Sequence, residues 1–358
     1  MVEINVENLR KEYGSLVAVE DFDLTIEEGE FVTLVGPSGC GKTTTLRCLA
    51  GLETVTSGQV RYGDTDVTDL PPQQRGIALL FQDIALYPHM TVEENMAYPL
   101  KILGMGKEKR RDRVKDAANR LQIEDQLEKM PSELSGGQQQ RVALGRSIVR
   151  EPTMFLFDEP MSDLDAKLKR ELRPLFAEVT QEVGCPTMYV THDQEEAMTM
   201  SDRVAVMNDG QMEQIGPPEE VYDEPTSEFV GQFIGQPTME FFDATVTQVN
   251  GSVTFDIEGT TYEMPADESL ESYAGNDVRI GIRPQHISAK EGSNGEIPAE
   301  HVFDEPLGDQ THSLFETPLG RLTVVTSPKF RGNGGDYSLE LTESQLKAFD
   351  PDSGIRIA

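Results

Sequence analysis

The stretch that most constrains this chain is Phe31-Val32-Thr33-Leu34-Val35 followed at once by Gly36-Pro37-Ser38-Gly39-Cys40-Gly41-Lys42-Thr43. Five apolar or β-branched residues in a row read as a strand buried on both faces. The eight that follow fit the spacing G-x-x-x-x-G-K-[ST], and Thr44–Leu52 reads as a helix, so the strand–loop–helix context of a phosphate-binding loop is complete. The glycines let the backbone curl until successive N–H groups point at one anion, and the helix start adds partial positive charge. Lys42 is placed for the β- and γ-phosphates of a nucleotide and the Thr43 hydroxyl for Mg2+. Gly36, Pro37, Ser38, Gly39, Cys40, Gly41, Lys42, Thr43 and Thr44 are therefore the candidate contacts for a nucleotide, with Mg2+ as the accompanying metal; the loop alone does not say which kind of nucleotide enzyme this is.

A buried strand of this kind needs partners, and residues 154–208 supply them. Met154–Phe157, Thr187–Val190 and Arg203–Asn208 read as strands, separated by helices near Ala166–Val183 and Gln194–Ser201. That alternation predicts a parallel sheet wrapped by helices. Met154–Phe157 ends in Asp158-Glu159, and a strand carries its terminal carboxylates to the same edge of the sheet as the phosphate loop. Asp158 suits the metal shell, and Glu159 is placed to deprotonate a water attacking the γ-phosphate. Residues 91–135 change character, rich in Glu, Lys, Arg, Met and Leu at helical spacing, and predict a helical subdomain.

After Gly216-Pro217-Pro218 and Asp223-Glu224-Pro225-Thr226 the pattern turns all-β. Asn250-Gly251 between Ala244–Val249 and Ser252–Ile257 predicts a two-residue hairpin turn. The domain boundary is expected between residues 235 and 236, with an ATPase domain over 1–235 and a β-barrel-like domain over 236–358.

Charge and composition exclude several classes. The chain has 63 acids against 31 bases, a net charge of −32. Residues 1–235 hold 42 acids and 23 bases and the remainder 21 and 8, so the excess is a property of the whole surface and not of a tail. Such a surface repels itself unless salt screens it, and suits a halophile. It is a poor partner for nucleic acid. Three scattered cysteines, Cys40, Cys48 and Cys185, are too few for a disulfide framework or a zinc site and fit a reducing compartment. No run approaches the roughly 20 apolar residues that cross a bilayer, and Met1–Val6 lacks the basic start and apolar core of a signal peptide. The expectation is a cytoplasmic protein that reaches a membrane through partners.

Leu134-Ser135-Gly136-Gly137-Gln138-Gln139-Gln140-Arg141 offers a hydroxyl and bare N–H groups to an anion at a helix start. Beside the phosphate loop, this run resembles the signature sequence of ABC ATPases, which caps the γ-phosphate of ATP bound on the opposite subunit. The resemblance implies roles for Ser135, Gly136, Gly137 and Gln138 in that cap. It implies that Tyr13 stacks on adenine and that Gln82 contacts Mg2+. It also implies that Ser162-Asp163-Leu164-Asp165 links the two sites across a dimer, and that His192 contacts the γ-phosphate. The fold it implies is an ABC-type P-loop domain, a mixed sheet with a helical subdomain. An all-β, oligonucleotide-binding-like domain of the TOBE type follows. His89, His286, His301 and His312 show no catalytic pattern and read as structural.

Ala85-Leu86-Tyr87-Pro88-His89-Met90-Thr91-Val92, Gly216–Tyr222 and Gly281–Ile287 are similar to the ATPases of carbohydrate importers of the maltose and glycerol-phosphate type. That branch implies two transmembrane permeases, an extracytoplasmic solute-binding protein, a homodimer or a heterodimer with a similar ATPase, and a place on the cytoplasmic face of the cell membrane. Asp83–Leu103 is then the docking surface for the permeases. Iron and polyamine importers share a similar tail and stay open as alternatives. A soluble ABC ATPase acting on DNA or ribosomes is disfavoured by the single cassette and the acidity. The basic island Lys107–Lys115 reads as a solvated helix face, with contact to an anionic membrane surface or to acidic permease loops as its other reading.

Overall fold

The computed structural model describes residues 2–249, 252–257, 259–265, 268–292 and 297–358. Contacts divide the chain into two compact units, Met1–Glu219 and Glu220–Ala358.

The first unit runs β1 (Ile4–Tyr13), β2 (Leu16–Ile26), β3 (Phe31–Val35), α1 (Lys42–Ala50), β4 (Ser57–Tyr62), β5 (Thr65–Asp66) and β6 (Ala78–Leu80). It continues through α2 (Val92–Ile102), α3 (Lys107–Arg120), α4 (Gly136–Ile148), β7 (Phe155–Asp158), α5 (Ala166–Val183), β8 (Thr187–Val190), α6 (Gln194–Met200), β9 (Arg203–Asn208) and β10 (Gln211–Gly216). A six-stranded sheet has the order β10-β9-β3-β8-β7-β6, and a four-stranded sheet the order β2-β1-β4-β5. β3 pairs in parallel with both β8 and β9, and β7 with both β6 and β8. β10 joins antiparallel at the edge, which makes the sheet mixed.

Every residue of β3, β7 and β8 is buried, because the sheet is covered on both faces. The period-two alternation of strands sends Phe31, Phe155, Phe157 and Tyr189 into a core shared with α2 to α5. The intervening Val32, Leu34, Leu156, Met188 and Val190 enter a second core with Leu46 and Leu49 of α1 and with Ile4 and Phe22. Helix α1 starts and ends two residues earlier than the sequence suggested, stopped by Gly51 in a left-handed conformation. The helical region begins at a Thr91–Glu94 capping box and extends beyond residue 135 through α4.

The second unit contains α7 (Pro218–Asp223), which spans the division, and α8 (Glu228–Phe233). They lead into β11 (Glu240–Val249), β12 (Ser252–Ile257), β13 (Thr260–Pro265), β14 (Asp277–Ile282), β15 (Ile287–Glu291), β16 (Ile297–Pro306), β17 (Thr311–Thr317), β18 (Gly320–Thr326), β19 (Asp336–Leu341) and β20 (Lys347–Phe349). Two five-stranded sheets, β13-β12-β11-β14-β20 and β15-β19-β16-β17-β18, share one core containing Phe255, Ile280, Phe315, Tyr337 and Leu339. β11 and β12 pair antiparallel as expected, while the turn Asn250-Gly251 itself lies outside the described residues.

Contacts thus place the division near residue 219, ahead of the 235/236 boundary expected from the switch to β pattern. The physical reason is Arg283. Its buried guanidinium lies 4.2 Å from the Tyr222 ring centre and donates to the carbonyls of Tyr222, Gly231 and Ile234. The two helices before the β sheets are thereby bonded to the residue that directly follows β14.

Candidate active site

The loop after β3 is shaped by what surrounds it. A Cβ on Gly36 would stand 2.2 Å from the Met207 carbonyl, and one on Gly41, at φ 106°, would stand 2.4 Å from the Ala18 carbonyl. Only glycine fits either place. Lys42 opens α1 and is buried. Its ammonium donates to the carbonyls of Gly36 and Pro37, both at 2.8 Å, with Cys40 Sγ 3.8 Å away. The loop therefore wraps around a cation at a helix start, the electrostatic arrangement a polyphosphate requires.

Thr43 faces the end of β7. Its hydroxyl donates to Asp158 Oδ1 at 3.1 Å. Burial pushes the Asp158 carboxyl above its usual pKa, against the pull of that hydrogen bond. Two adjacent oxygen ligands of a magnesium ion stand about 2.9 Å apart when bonds are about 2.0–2.1 Å, so the Thr43–Asp158 pair fits such an ion.

One residue further on, Glu159 adopts φ 48°, a conformation uncommon for a residue other than glycine and a form of strain that concentrates at functional sites. Its N–H donates to the Val190 carbonyl at 2.9 Å, and its own carbonyl accepts from the N–H and hydroxyl of Ser162. The turn aims the carboxylate at His192, whose Nδ1 lies 2.7 Å from Glu159 Oε2. The structure thus brings Lys42, Thr43, Asp158, Glu159 and His192 to one edge of the sheet.

The other expected residues stand on different elements. Tyr13 ends β1, half exposed, with the Lys11 ammonium 4.7 Å from its ring centre. Gln82 is exposed just beyond β6. Asp165 caps α5 by accepting from the N–H groups of Lys167 and Leu168. Ser135 caps α4 in a reciprocal box with Gln138, and a Cβ on Gly137 would strike Leu168 of α5 at 2.5 Å. Gly136 begins α4 beside Leu164. Helix α1 packs on β2, β7 and β8, whereas α4 packs on α2, α3, α5 and β6.

Two features were not assigned from sequence. Gln140 on α4 is fully buried and donates its amide to the Pro160 carbonyl, directly after Glu159. Lys169 on α5 forms a partly buried ion cluster with Asp193 and Glu196, the N-cap and first-turn residues of the helix that follows His192. The run His192–Ala197 contained the two acids, but nothing in its spacing pointed to a lysine some two dozen residues earlier.

Fold and site together define a P-loop ATPase with a helical subdomain. Residues 19–162 match the ABC transporter family and residues 235–287 the MalK OB fold domain. The chain is 46% identical over 356 residues to the sulfoquinovosyl glycerol transport ATP-binding protein of Agrobacterium fabrum, with 98% of each chain covered. It is 45% identical over 345 residues to the sn-glycerol-3-phosphate import ATP-binding protein of Escherichia coli, with 96% of each covered. Among solved structures, a dimeric bacterial ABC transporter cassette superposes with a TM-score of 0.54 at 32% identity, over 60% of this chain and 98% of that one. Its post-hydrolysis form bound to ADP and Pi gives 0.53 at 31%. The chain belongs to the ABC transporter ATP-binding subunits of the carbohydrate-importer type.

Proposed function

We propose that this chain hydrolyses ATP to energise import of a sugar or glycerol-phosphate-like solute, as one half of a two-subunit ATP sandwich beneath two permeases. The pairing of Glu159 with His192 at 2.7 Å, beside Thr43 and Asp158, is the observation that carries the hydrolytic part. Likeness over nearly the whole chain to two importer subunits supports the solute class.

In this reading Lys42 and the loop Gly36–Thr44 bind the phosphates, and Tyr13 takes the adenine. Thr43, Asp158 and Gln82 would hold Mg2+, which when bound neutralises phosphate charge. Glu159 takes a proton from the attacking water, and His192 orients that carboxylate and contacts the γ-phosphate. One chain leaves the γ-phosphate open on one side. Ser135, Gly136, Gly137 and Gln138 of a second subunit would close that side, with Asp165 and its loop at the crossing. A groove of about 380 Å³ lined by Tyr87, Tyr98, Ile102, Leu103 and Arg146 suits a permease helix, since Ile102 and Leu103 are among the most exposed apolar side chains. The expected location is the cytoplasmic face of the membrane, held there by permeases. Among the described residues no helix is long and apolar enough to cross it. The net charge of −32 supports a salt-adapted host.

The test is affinity purification of tagged Glu159→Gln protein from its host's membranes in molar KCl with ATP. Two multi-spanning proteins should co-purify, and a solute-binding protein recovered with them identifies the cargo. Recovery in the soluble fraction with ribosomes or DNA removes the transport reading and leaves the ATPase.

A further inference from the structure

We propose that Lys169 and Glu196 are positioning residues that hold His192 against Glu159, a role that rests on the hydrolytic reading above.

His192 stands on the turn between β8 and α6, and its side chain is 56% exposed. An imidazole on an exposed turn does not stay within hydrogen-bond reach of one carboxylate oxygen unless the backbone on both sides is fixed. Both sides are. Before it, the Thr191 hydroxyl donates to Glu196 Oε2 at 2.7 Å and accepts from the Asp193 N–H at 3.0 Å. After it, Asp193 caps α6 by accepting from the N–H groups of Glu195 and Glu196.

Glu196 is 2% exposed, so its carboxylate is a buried charge that must be satisfied. Oε2 also accepts from the Tyr189 hydroxyl at 2.8 Å, and Oε1 lies 3.3 Å from Lys169 Nζ. The same ammonium donates to Asp193 Oδ2 at 2.9 Å. Lys169 thus joins the two acids that bracket the start of α6. One turn further along α5, Arg173 holds Glu195 at 2.7 Å and lies 3.7 Å from Asp193.

Lys169 is also tied to the loop below it. Its N–H donates to the Asp165 carbonyl at 3.0 Å in the first turn of α5, and Ser162 at the other end of that loop bonds to the Glu159 carbonyl. Chain and hydrogen bonds therefore close a ring: Glu159, Ser162, Asp165, Lys169, Asp193, His192 and back to Glu159. Within that ring the His192–Glu159 contact and the loop Ser162–Asp165 cannot shift independently. Only Glu196 of this cluster is fully buried, and the desolvation of that carboxylate costs most of what its pairing returns, so its place beside the one exposed imidazole of the site fits geometric control.

The experiment is steady-state MgATP turnover of the full-length chain as wild type, Lys169→Met, Lys169→Arg, His192→Ala and Lys169→Met/His192→Ala, with a thermal midpoint for each. Lys169→Met should lower kcat about ten-fold, well within the roughly 10²-fold that an ångström of misplacement costs, while KM for ATP stays within about two-fold. Lys169→Arg should recover most of the loss. In the His192→Ala background Lys169→Met should cost nothing further, because the side chain it positions is gone. Equal losses in both backgrounds, or an unchanged kcat for Lys169→Met, overturn the proposal while the ATPase reading stands. Wild-type protein without turnover overturns the ATPase reading itself. Should Lys169→Met fail to fold, Glu196→Gln, which keeps the Lys169–Asp193 pair, goes through the same cycle.

Discussion

Glu159 and His192 meet at 2.7 Å although one directly follows a buried strand and the other sits on an exposed turn. Register explains it. β7 and β8 run parallel with Asp158 opposite Val190, so the residues just beyond each strand emerge side by side. The positive φ of Glu159 then swings its carboxylate across the gap.

Replacing Glu159 by Gln keeps the size of the side chain and removes its basicity. Turnover should fall by roughly 10²–10⁴-fold, the usual contribution of a positioned general base. Affinity for ATP should remain within a few-fold. Phosphate release and equilibrium binding of a fluorescent ATP analogue measure the two separately.

Arg283 donates to three carbonyls from a nearly water-free site, where burial lowers its pKa to about 10. Arg283→Met leaves those carbonyls without that donor and should destabilise the second unit by about 3 kcal/mol. Arg283→Lys, with one donor group in place of a planar fork, should recover only part of it. Denaturant unfolding of the full chain, followed by a probe in the second unit, reads the difference.

Asp304 lies in the second unit. Burial alone would raise its carboxyl pKa. The Ser313 hydroxyl, the Gly332 N–H and His301 outweigh that and hold it below the usual range. Its stabilisation is therefore complete above the unfolded carboxylate value of about 3.9 and drains away as pH falls through the depressed native value. The thermal midpoint of this unit should drop on acidification below about pH 4. Asp304→Asn should lower the plateau at neutral pH and flatten that drop.

With a net charge of −32, self-repulsion acts across the whole surface. Raising KCl from about 0.1 M to 1 M shortens the screening length from about 10 Å to about 3 Å, so the thermal midpoint should climb. A midpoint that does not move between these salts counts against salt adaptation.

The sequence made the phosphate loop, the Asp158-Glu159 strand end and the helical region legible because each is local: a run of residues whose spacing dictates both conformation and chemistry. The change to β structure in the tail was readable on the same ground, whereas the antiparallel edge strand β10 was not: the spacing alone read as a parallel sheet, and its mixed character came only from the family resemblance. The division near residue 219 was not, since it depends on Arg283 reaching back some fifty residues to Gly231 and Ile234. Lys169 and Gln140 were hidden for the same reason. Their partners, Asp193 and Pro160, are distant in sequence, and a lysine or glutamine on a helix looks the same whether it faces water or a buried carbonyl.

Gln140 gives the helical region a grip on the chemistry. Its amide holds the Pro160 carbonyl from the middle of α4, and α4 in turn packs on α2, whose end lines the apolar groove with Ile102. Tilting α4 loads that bond, together with the packing of Gly136 and Gly137 on Leu164 and Leu168, and passes strain to the peptide behind Glu159. Two helices and one amide therefore make a crank, with its handle at the groove and its pin one residue from the carboxylate.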